Sequence, residues 1–268
     1  MSLAVVVKGP EGLVLAADSR VTLNTEQQLL DGTKQLLPTY FDNAIKLMQL
    51  QNHNIGIVTY GQGAIGQHQP RMAHGYIPEF EAHLSDMGNE ELSVQGVAAE
   101  LGAFYAARWQ EAGMGEAEPM SFLVAGYDDG EAYGRVYEVS VPNELQPQEQ
   151  FRDEFSIVWR GQPYLLERLF NGTAPRAIEI AQDALDLSDE QVGTLVERWQ
   201  QELALPIPIP FLPLQDAVDL ATFLVDMTAT VMTWTVGIQG VGGQVDVATI
   251  TRTNGFSAVD TKKIHPWG

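Results

Sequence analysis

The sequence contains no cysteine. This excludes disulfide bonds, thiolate metal sites and a cysteine nucleophile. Basic residues are also scarce, because 15 lysines and arginines stand against 35 aspartates and glutamates, for a net charge of −20. Nucleic acids and anionic membranes are bound through basic surfaces, so this charge balance argues against both as partners.

Long uncharged apolar runs are absent as well. The most apolar stretch near the end, residues 221–241, contains Asp226 together with several threonines and glycines. It predicts a buried helix that continues into a loop, rather than a membrane span. The start shows no charged segment followed by an apolar one, as a signal peptide would, and we expect a cytoplasmic protein.

The first eighteen residues predict a buried β-hairpin. Residues 3–7 are apolar and mostly β-branched, residues 8–12 (KGPEG) have the composition of a turn, and residues 13–17 are apolar again. Strands that are apolar on both faces are buried between layers. We therefore expect residue 2, a serine, to lie inside the fold.

A buried Ser2 could take part in catalysis. The small residue after the initiator methionine favours removal of Met1, which would leave Ser2 with a hydroxyl and a free α-amine of pKa about 7.7–8.0. This amine could act as the base for its own hydroxyl, as in an N-terminal nucleophile. Asp18 and Lys46 are the candidate supporting carboxylate and cation. Alternatively, Ser2 has no role, Asp18 is a polar strand end and Lys46 is solvated.

Four segments resemble proteasome β-type subunits, which are N-terminal-nucleophile (Ntn) hydrolases and include bacterial proteasome-type peptidases. Residues 12–22 (GLVLAADSRVT) are similar to the first hairpin of that family, in which an aspartate follows the nucleophile by sixteen positions, as Asp18 follows Ser2. The other three segments, in the same order as in the family, are AIKLMQL at residues 44–50, NIGIVTYGQGAIG at 54–66 and GGQVDVATITR at 242–252.

The resemblance implies specific roles. Ser2 would be the nucleophile, Lys46 the catalytic lysine, Asp18 its partner and Gly61 the oxyanion donor through its N–H. It also implies a peptide or protein substrate, a homo-oligomeric ring and no cofactor or metal, while an ATPase partner is unknown. The chain departs from the family at three accessory positions: Arg160 stands where the family has a serine, and Ile238 and Val241 stand where it has an aspartate and a serine.

The segment Gly61–Gly66 also reads G-x-G-x-x-G between a predicted strand and a predicted helical stretch that reaches Asp86. This pattern is the fingerprint of a dinucleotide site, although its acidic residue should end a second strand and Glu79 and Glu81 fall within the helical stretch. Three histidines lie nearby, at spacings that do not place them on one helix face: His68, His74 and His83.

The rest of the chain predicts further elements. We expect an irregular exposed segment at 24–43 and a polar tail at 253–268. Hairpins are predicted at 44–60 and 120–141, strands at 155–159 and 244–251, and helices at 93–110, 163–170, 173–185, 188–203 and 214–233. We predict one domain over residues 1–268, with insertions relative to the family at about 23–43 and 173–213.

These elements predict an α+β fold, a four-layer αββα sandwich of two stacked, mainly antiparallel sheets. The predicted function is that of a proteasome-like peptidase or amide hydrolase with an N-terminal serine. One alternative is a catalytically inactive proteasome-like scaffold subunit. A second is a nucleotide-binding protein that uses Gly61–Gly66.

Overall fold

The computed structural model of the chain describes residues 2–28, 32, 34–51, 54–66, 69–88 and 92–262. The chain divides into two compact units, one of residues 1–161 and 210–268 and the other of residues 162–209.

The described residues of the first unit form strands and three α-helices. The strands are β1 (Leu3–Lys8), β2 (Leu13–Ala17), β3 (Val21–Gln28), β4 (Lys34–Phe41), β5 (Leu47–Leu50), β6 (Ile55–Gly61), β7 (Ala64–Ile65), β8 (Arg71–Met72), β9 (Met120–Gly126), β10 (Arg135–Val141), β11 (Glu144–Glu149), β12 (Ser156–Gly161), β13 (Asp246–Thr251) and β14 (Gly255–Asp260). The helices are α1 (Ile77–Asp86), α2 (Val94–Glu111) and α6 (Leu214–Trp234). The three helices between α2 and α6 in the chain belong to the other unit.

Two five-stranded antiparallel sheets make up the centre of this unit. The first has the strand order β12-β1-β2-β13-β14, and the second has the order β11-β10-β9-β6-β5. Strands β1 and β2 pair from Ala4 with Ala17 to Lys8 with Leu13, so the first eighteen residues form the predicted hairpin. Every residue of both strands is buried, because the second sheet covers one face and α6 the other.

The two sheets pack face to face through an apolar layer. Its members are buried aliphatic side chains from both sheets, among them Val6 and Leu15 from the first and Val58 and Leu123 from the second. A second core joins the other face of the second sheet to α1 and α2, with Tyr105 of α2 against Phe122 of β9 at a ring-centroid distance of 4.7 Å. The layers are therefore helix, sheet, sheet and helix, which confirms the predicted αββα sandwich.

Two segments predicted as irregular are strands. Residues 21–28 and 34–41 pair as β3 and β4, in a two-stranded sheet in which Pro38 stands opposite Asn24. A proline is tolerated in a strand at the edge of a sheet, and the irregular segment predicted at 24–43 was therefore wrong over these paired residues. The tail likewise returns as β14, which pairs with β13. β3, β4 and β14 were missed because most of their described side chains are exposed, so these strands lack the apolar pattern of a buried strand.

The glycine segment is not followed directly by a helix. Residues 64–65 and 71–72 form the short pair β7 and β8, a 3-10 turn spans Ala73–Tyr76, and α1 begins only at Ile77. The helical stretch predicted directly after Gly66 was therefore wrong at its start. The dinucleotide interpretation depended on that helix and on a parallel sheet, whereas β6 pairs antiparallel with both of its neighbours.

The second unit contains the helices α3 (Tyr164–Phe170), α4 (Pro175–Leu185) and α5 (Asp189–Leu203). A capping box begins α5: the Gln191 N–H donates to the Ser188 hydroxyl at 3.4 Å, and the Ser188 N–H donates to the Gln191 side-chain oxygen at 2.9 Å. This unit contains most of the predicted insertion at 173–213. That residues 1–268 form a single domain stays a prediction.

The apolar stretch near the end forms the predicted helix and loop, since α6 ends at Trp234 and residues 235–245 lead into β13. Within the described ranges, no helix has both the length and the apolar character required to cross a membrane.

The layer between the sheets generates the first testable prediction. Leu15 is fully buried there. Leu15→Ala is expected to lower the free energy of unfolding by about 2–5 kcal/mol, because the substitution leaves a cavity that the two packed sheets cannot move together to fill. Urea unfolding followed by tryptophan fluorescence measures this loss. The control is Leu23→Ala in β3, where the side chain is 52% exposed and the change should stay within about 0.5 kcal/mol. Equal effects of the two substitutions would contradict the layered packing.

Candidate active site

The structure brings together the three side chains that the sequence singled out as nucleophile, carboxylate and cation. Ser2 precedes β1, Asp18 follows β2 and Lys46 precedes β5, and their exposed fractions are 4%, 0% and 5%. The Lys46 ammonium donates to Ser2 Oγ at 3.0 Å and to Asp18 Oδ1 at 2.8 Å. The three groups therefore form a buried line of contacts from carboxylate to ammonium to hydroxyl.

Asp18 is held by four donors. Its Oδ1 accepts from the Leu3 backbone N–H at 3.0 Å and from Lys46, while its Oδ2 accepts from the backbone N–H groups of Arg20 and Gly242, both at 3.1 Å. A buried carboxylate is costly unless its oxygens are satisfied, and here each oxygen has two donors. The bond to Leu3 also fixes the backbone immediately after Ser2.

The ionisation of Lys46 is set by opposing effects. Burial lowers the pKa of Lys46 below its ordinary value, and the cations Lys262 and Arg20 act in the same direction. The charge of Asp18 and its hydrogen bond oppose this shift, but the net pKa is lowered. A lysine in this state gives up its proton more easily than a surface lysine, while Asp18 stabilises the charged form.

Gly61 lies at the end of β6, on the strand beside Lys46. The backbone N–H of Thr59, two residues earlier, donates to the Lys46 carbonyl at 2.9 Å. Gly61 has φ +77°, and a Cβ there would lie 2.4 Å from the carbonyl oxygen of Pro119. Only glycine fits this backbone turn, which bends the chain directly after β6.

The loop before β13 contributes to the site in a way that side-chain reasoning missed. Gly242 supplies one donor to Asp18, and its carbonyl accepts from the Ser19 N–H at 3.0 Å. The Arg20 guanidinium, held to the Asp42 carboxylate by hydrogen bonds of 2.6 and 2.7 Å, packs against Gly242. No residue type signals a backbone donor, although the Gly-Gly pair at 242–243 was part of the resemblance.

The structure shows where the three departures from the family, Arg160, Ile238 and Val241, lie. Val241 is fully buried and Ile238 half-buried, and both are apolar. Arg160 pairs with Glu138 at 2.7 Å. The loop before β13 therefore reaches the site through its backbone.

The histidine group does not form a metal site in the part of the chain that the structure describes. No set of three possible ligands converges among the described residues. His83 contacts Glu100 at 3.4 Å, and burial lowers the pKa of His74. His68 lies outside the described residues, as do Met1 and the centre of the second predicted hairpin at residues 52–53.

Comparison with known proteins adds one structural relationship. The structure resembles that of the Anbu (Gly-1) mutant from Hyphomicrobium sp. strain MC1, with a TM-score of 0.53 and 16% sequence identity over 98% of this chain and 86% of that one. Anbu is a bacterial protein with a proteasome-like Ntn-hydrolase fold. This chain has a proteasome-like fold. No family model matches the sequence, and no curated protein matches it.

The geometry of the site generates a prediction for Asp18→Asn. This substitution removes the charge that raises the pKa of Lys46, so the pKa should fall further below its ordinary value. Because the folded protein then binds the Lys46 proton less readily than the unfolded chain, stability should rise with pH between the folded and unfolded pKa values, over a wider range than in the wild type. Titration of ¹³C-labelled lysine by NMR measures the pKa.

The control is Asp219→Asn, which removes a carboxylate from the exposed surface of α6. It should leave the Lys46 titration unchanged. A Lys46 pKa that stays the same or rises in Asp18→Asn would show that the ion pair does not govern the lysine.

Proposed function

We propose that this chain is a proteasome-like Ntn hydrolase that cleaves amide bonds with Ser2 as the nucleophile, after removal of Met1. The observation that carries the proposal is the contact of a buried lysine ammonium with both Ser2 Oγ and Asp18. An interior lysine, aspartate and serine in contact cost desolvation energy that a purely structural site has no need to incur.

In the first step, Ser2 Oγ attacks the carbonyl carbon of the amide. The α-amine of Ser2 accepts the hydroxyl proton as general base and then donates it to the leaving nitrogen, so that the C–N bond breaks and an ester to Ser2 remains. The positive charge of Lys46, 3.0 Å from Oγ, favours the deprotonated forms of both the hydroxyl and the amine. Asp18 keeps the ammonium in place.

In the second step, water hydrolyses the ester, with the same amine taking the proton of the water and returning it to Oγ. The Gly61 N–H is the proposed donor to the negative oxygen of both tetrahedral intermediates. Gly61 ends β6 with a φ of +77°, and the proposal requires its N–H to point toward that negative oxygen.

The substrate and assembly are proposed from the resemblance alone. The substrate would be a peptide or protein, and the chain would act in the cytoplasm as a homo-oligomeric ring. The catalytic chemistry described here requires no cofactor.

A second candidate is a catalytically inactive proteasome-like scaffold subunit. The apolar Ile238 and Val241 favour it, because the resemblance implies polar groups near the N-terminal amine at those positions. A scaffold would have no need for a free α-amine on Ser2.

The first experiment tests N-terminal processing and reactivity together. The purified protein is treated with a peptide epoxyketone, which bonds to both the hydroxyl and the amine of one N-terminal residue, and is then analysed by intact mass and N-terminal sequencing. We expect loss of Met1 and a single adduct on Ser2. Ser2→Ala is the control, because alanine is also small enough for Met1 removal but offers no hydroxyl.

The outcomes separate the two candidates. A wild-type chain that loses Met1 and takes the adduct, beside an unreactive Ser2→Ala variant, supports the hydrolase. A wild-type chain that keeps Met1 and takes no adduct would rule out the hydrolase and leave the scaffold.

The role of Lys46 generates a further prediction. Lys46→Met should slow labelling of Ser2 by a peptide β-lactone by about 100-fold or more, because the charge that activates the hydroxyl and amine is lost. The chain offers a matched control in Lys8, which is also buried, at 3% exposure, and donates to the carbonyls of Phe151 and Arg152. Lys8→Met should keep the labelling rate within about threefold of wild type. Comparable losses in both variants would mean that the effect is one of folding.

A further inference from the structure

A second polar cluster, formed by Tyr60, Glu138 and Arg160, crosses the layer between the two sheets. The Glu138 carboxylate receives three hydrogen bonds of 2.7–2.8 Å from the Arg160 guanidinium and a further bond from the Tyr60 hydroxyl. Arg160 also donates to the Gln150 side chain at 2.7 Å. The cluster is half-buried, since the Arg160 and Glu138 side chains are 34% and 21% exposed.

The cluster links strands of different sheets. Arg160 belongs to β12 of the first sheet, where it stands opposite Ala4. Glu138 and Tyr60 belong to β10 and β6 of the second sheet. Ala4 faces the apolar layer between the sheets, so the guanidinium reaches across that layer to the carboxylate.

Each end of the cluster is one residue from a part of the candidate site. Tyr60 immediately precedes Gly61, the proposed oxyanion donor. Arg160 immediately precedes Gly161, which pairs with Leu3 and approaches Ser2 so closely that a Cβ on it would lie 2.0 Å from the Ser2 carbonyl oxygen. The nucleophile is thus attached to the first sheet beside Arg160, and the donor to the second sheet beside Tyr60.

The chemistry of the cluster suits a geometric role. A partly buried ion pair adds little net stability compared with apolar packing, and the surrounding layer is apolar. A planar guanidinium and a carboxylate joined by several bonds define distance and orientation better than aliphatic contacts do. Burial and the neighbouring carboxylate raise the pKa of Tyr60, so its hydroxyl stays a donor.

We infer that the Tyr60–Glu138–Arg160 cluster is a positioning device that sets the separation between Ser2 and the Gly61 N–H. This inference rests on the proposed function. The three residues touch no reacting atom in it. They act by holding the edge of the first sheet that carries the nucleophile at a defined distance from the strand that carries the oxyanion donor.

The test compares two covalent probes of Ser2 in the full-length protein. A peptide β-lactone is attacked at its carbonyl carbon and reacts through a tetrahedral oxyanion. A peptide vinyl sulfone is attacked at its carbon–carbon double bond, and no tetrahedral oxyanion forms. In Glu138→Gln, which keeps the size of the side chain but removes its charge, a displaced donor should slow β-lactone labelling by about 10- to 100-fold. Vinyl sulfone labelling should stay within about threefold of wild type, because the rest of the site is intact.

The chain provides a matched control in Glu149→Gln. Glu149 pairs with Arg135 at 2.8 Å, with side chains 20% and 18% exposed, and Arg135 stands opposite Gly126, at the other end of β9 from Met120, the partner of Gly61. This variant should keep both labelling rates. Thermal unfolding of the two variants shows whether they lose comparable stability.

Each outcome supports or overturns a specific statement. A wild-type protein that reacts with neither probe contradicts the proposed function itself. A reactive wild type with an unchanged Glu138→Gln variant overturns only the positioning role. So does a variant in which both probes slow equally, because that result reports a general structural defect. A selective loss with the β-lactone, absent in Glu149→Gln, supports the inference.

Discussion

The ion pair between Lys46 and Asp18 is the interaction on which the candidate site depends. Both groups are buried, and an unpaired charge in either place would be strongly destabilising. The four donors around Asp18 therefore have to be present together, and they come from separate parts of the chain: the first strand, the segment that follows the hairpin, the loop before β13 and Lys46 itself. Satisfying one carboxylate brings these parts together.

The same requirement connects the two sheets. The segment that carries Lys46 passes from the loop after β2, where the Ala44 N–H donates to the Ser19 carbonyl, to the second sheet, where the Thr59 N–H donates to the Lys46 carbonyl, both at 2.9 Å. The site lies where the chain crosses between layers. The Arg160–Glu138 pair bridges the layers a second time. Ser2, the proposed nucleophile, and Gly61, the proposed oxyanion donor, lie on different sheets, so the separation between them depends on how the sheets pack.

The errors of prediction have a common physical origin. Most of the described side chains of β3, β4 and β14 are exposed, and these segments are strands because their backbone groups pair, which the side-chain pattern does not reveal. The helix expected directly after Gly66 begins only at Ile77, because residues 64–65 and 71–72 pair as two short strands before it. Buried elements such as β1, β2 and α2 were predicted well, because burial on one or both faces leaves an apolar pattern.

The sequence by itself determined the buried first hairpin, the αββα layering and the identity of Ser2, Asp18 and Lys46 as candidates, since apolar periodicity and residue chemistry are local properties. Only the tertiary structure decided that Gly242 completes the shell of Asp18 and that Arg160 reaches Glu138. These contacts join residues more than 20 positions apart, through a backbone N–H in one case and across two sheets in the other. Such contacts depend on how layers pack, and no local pattern encodes them.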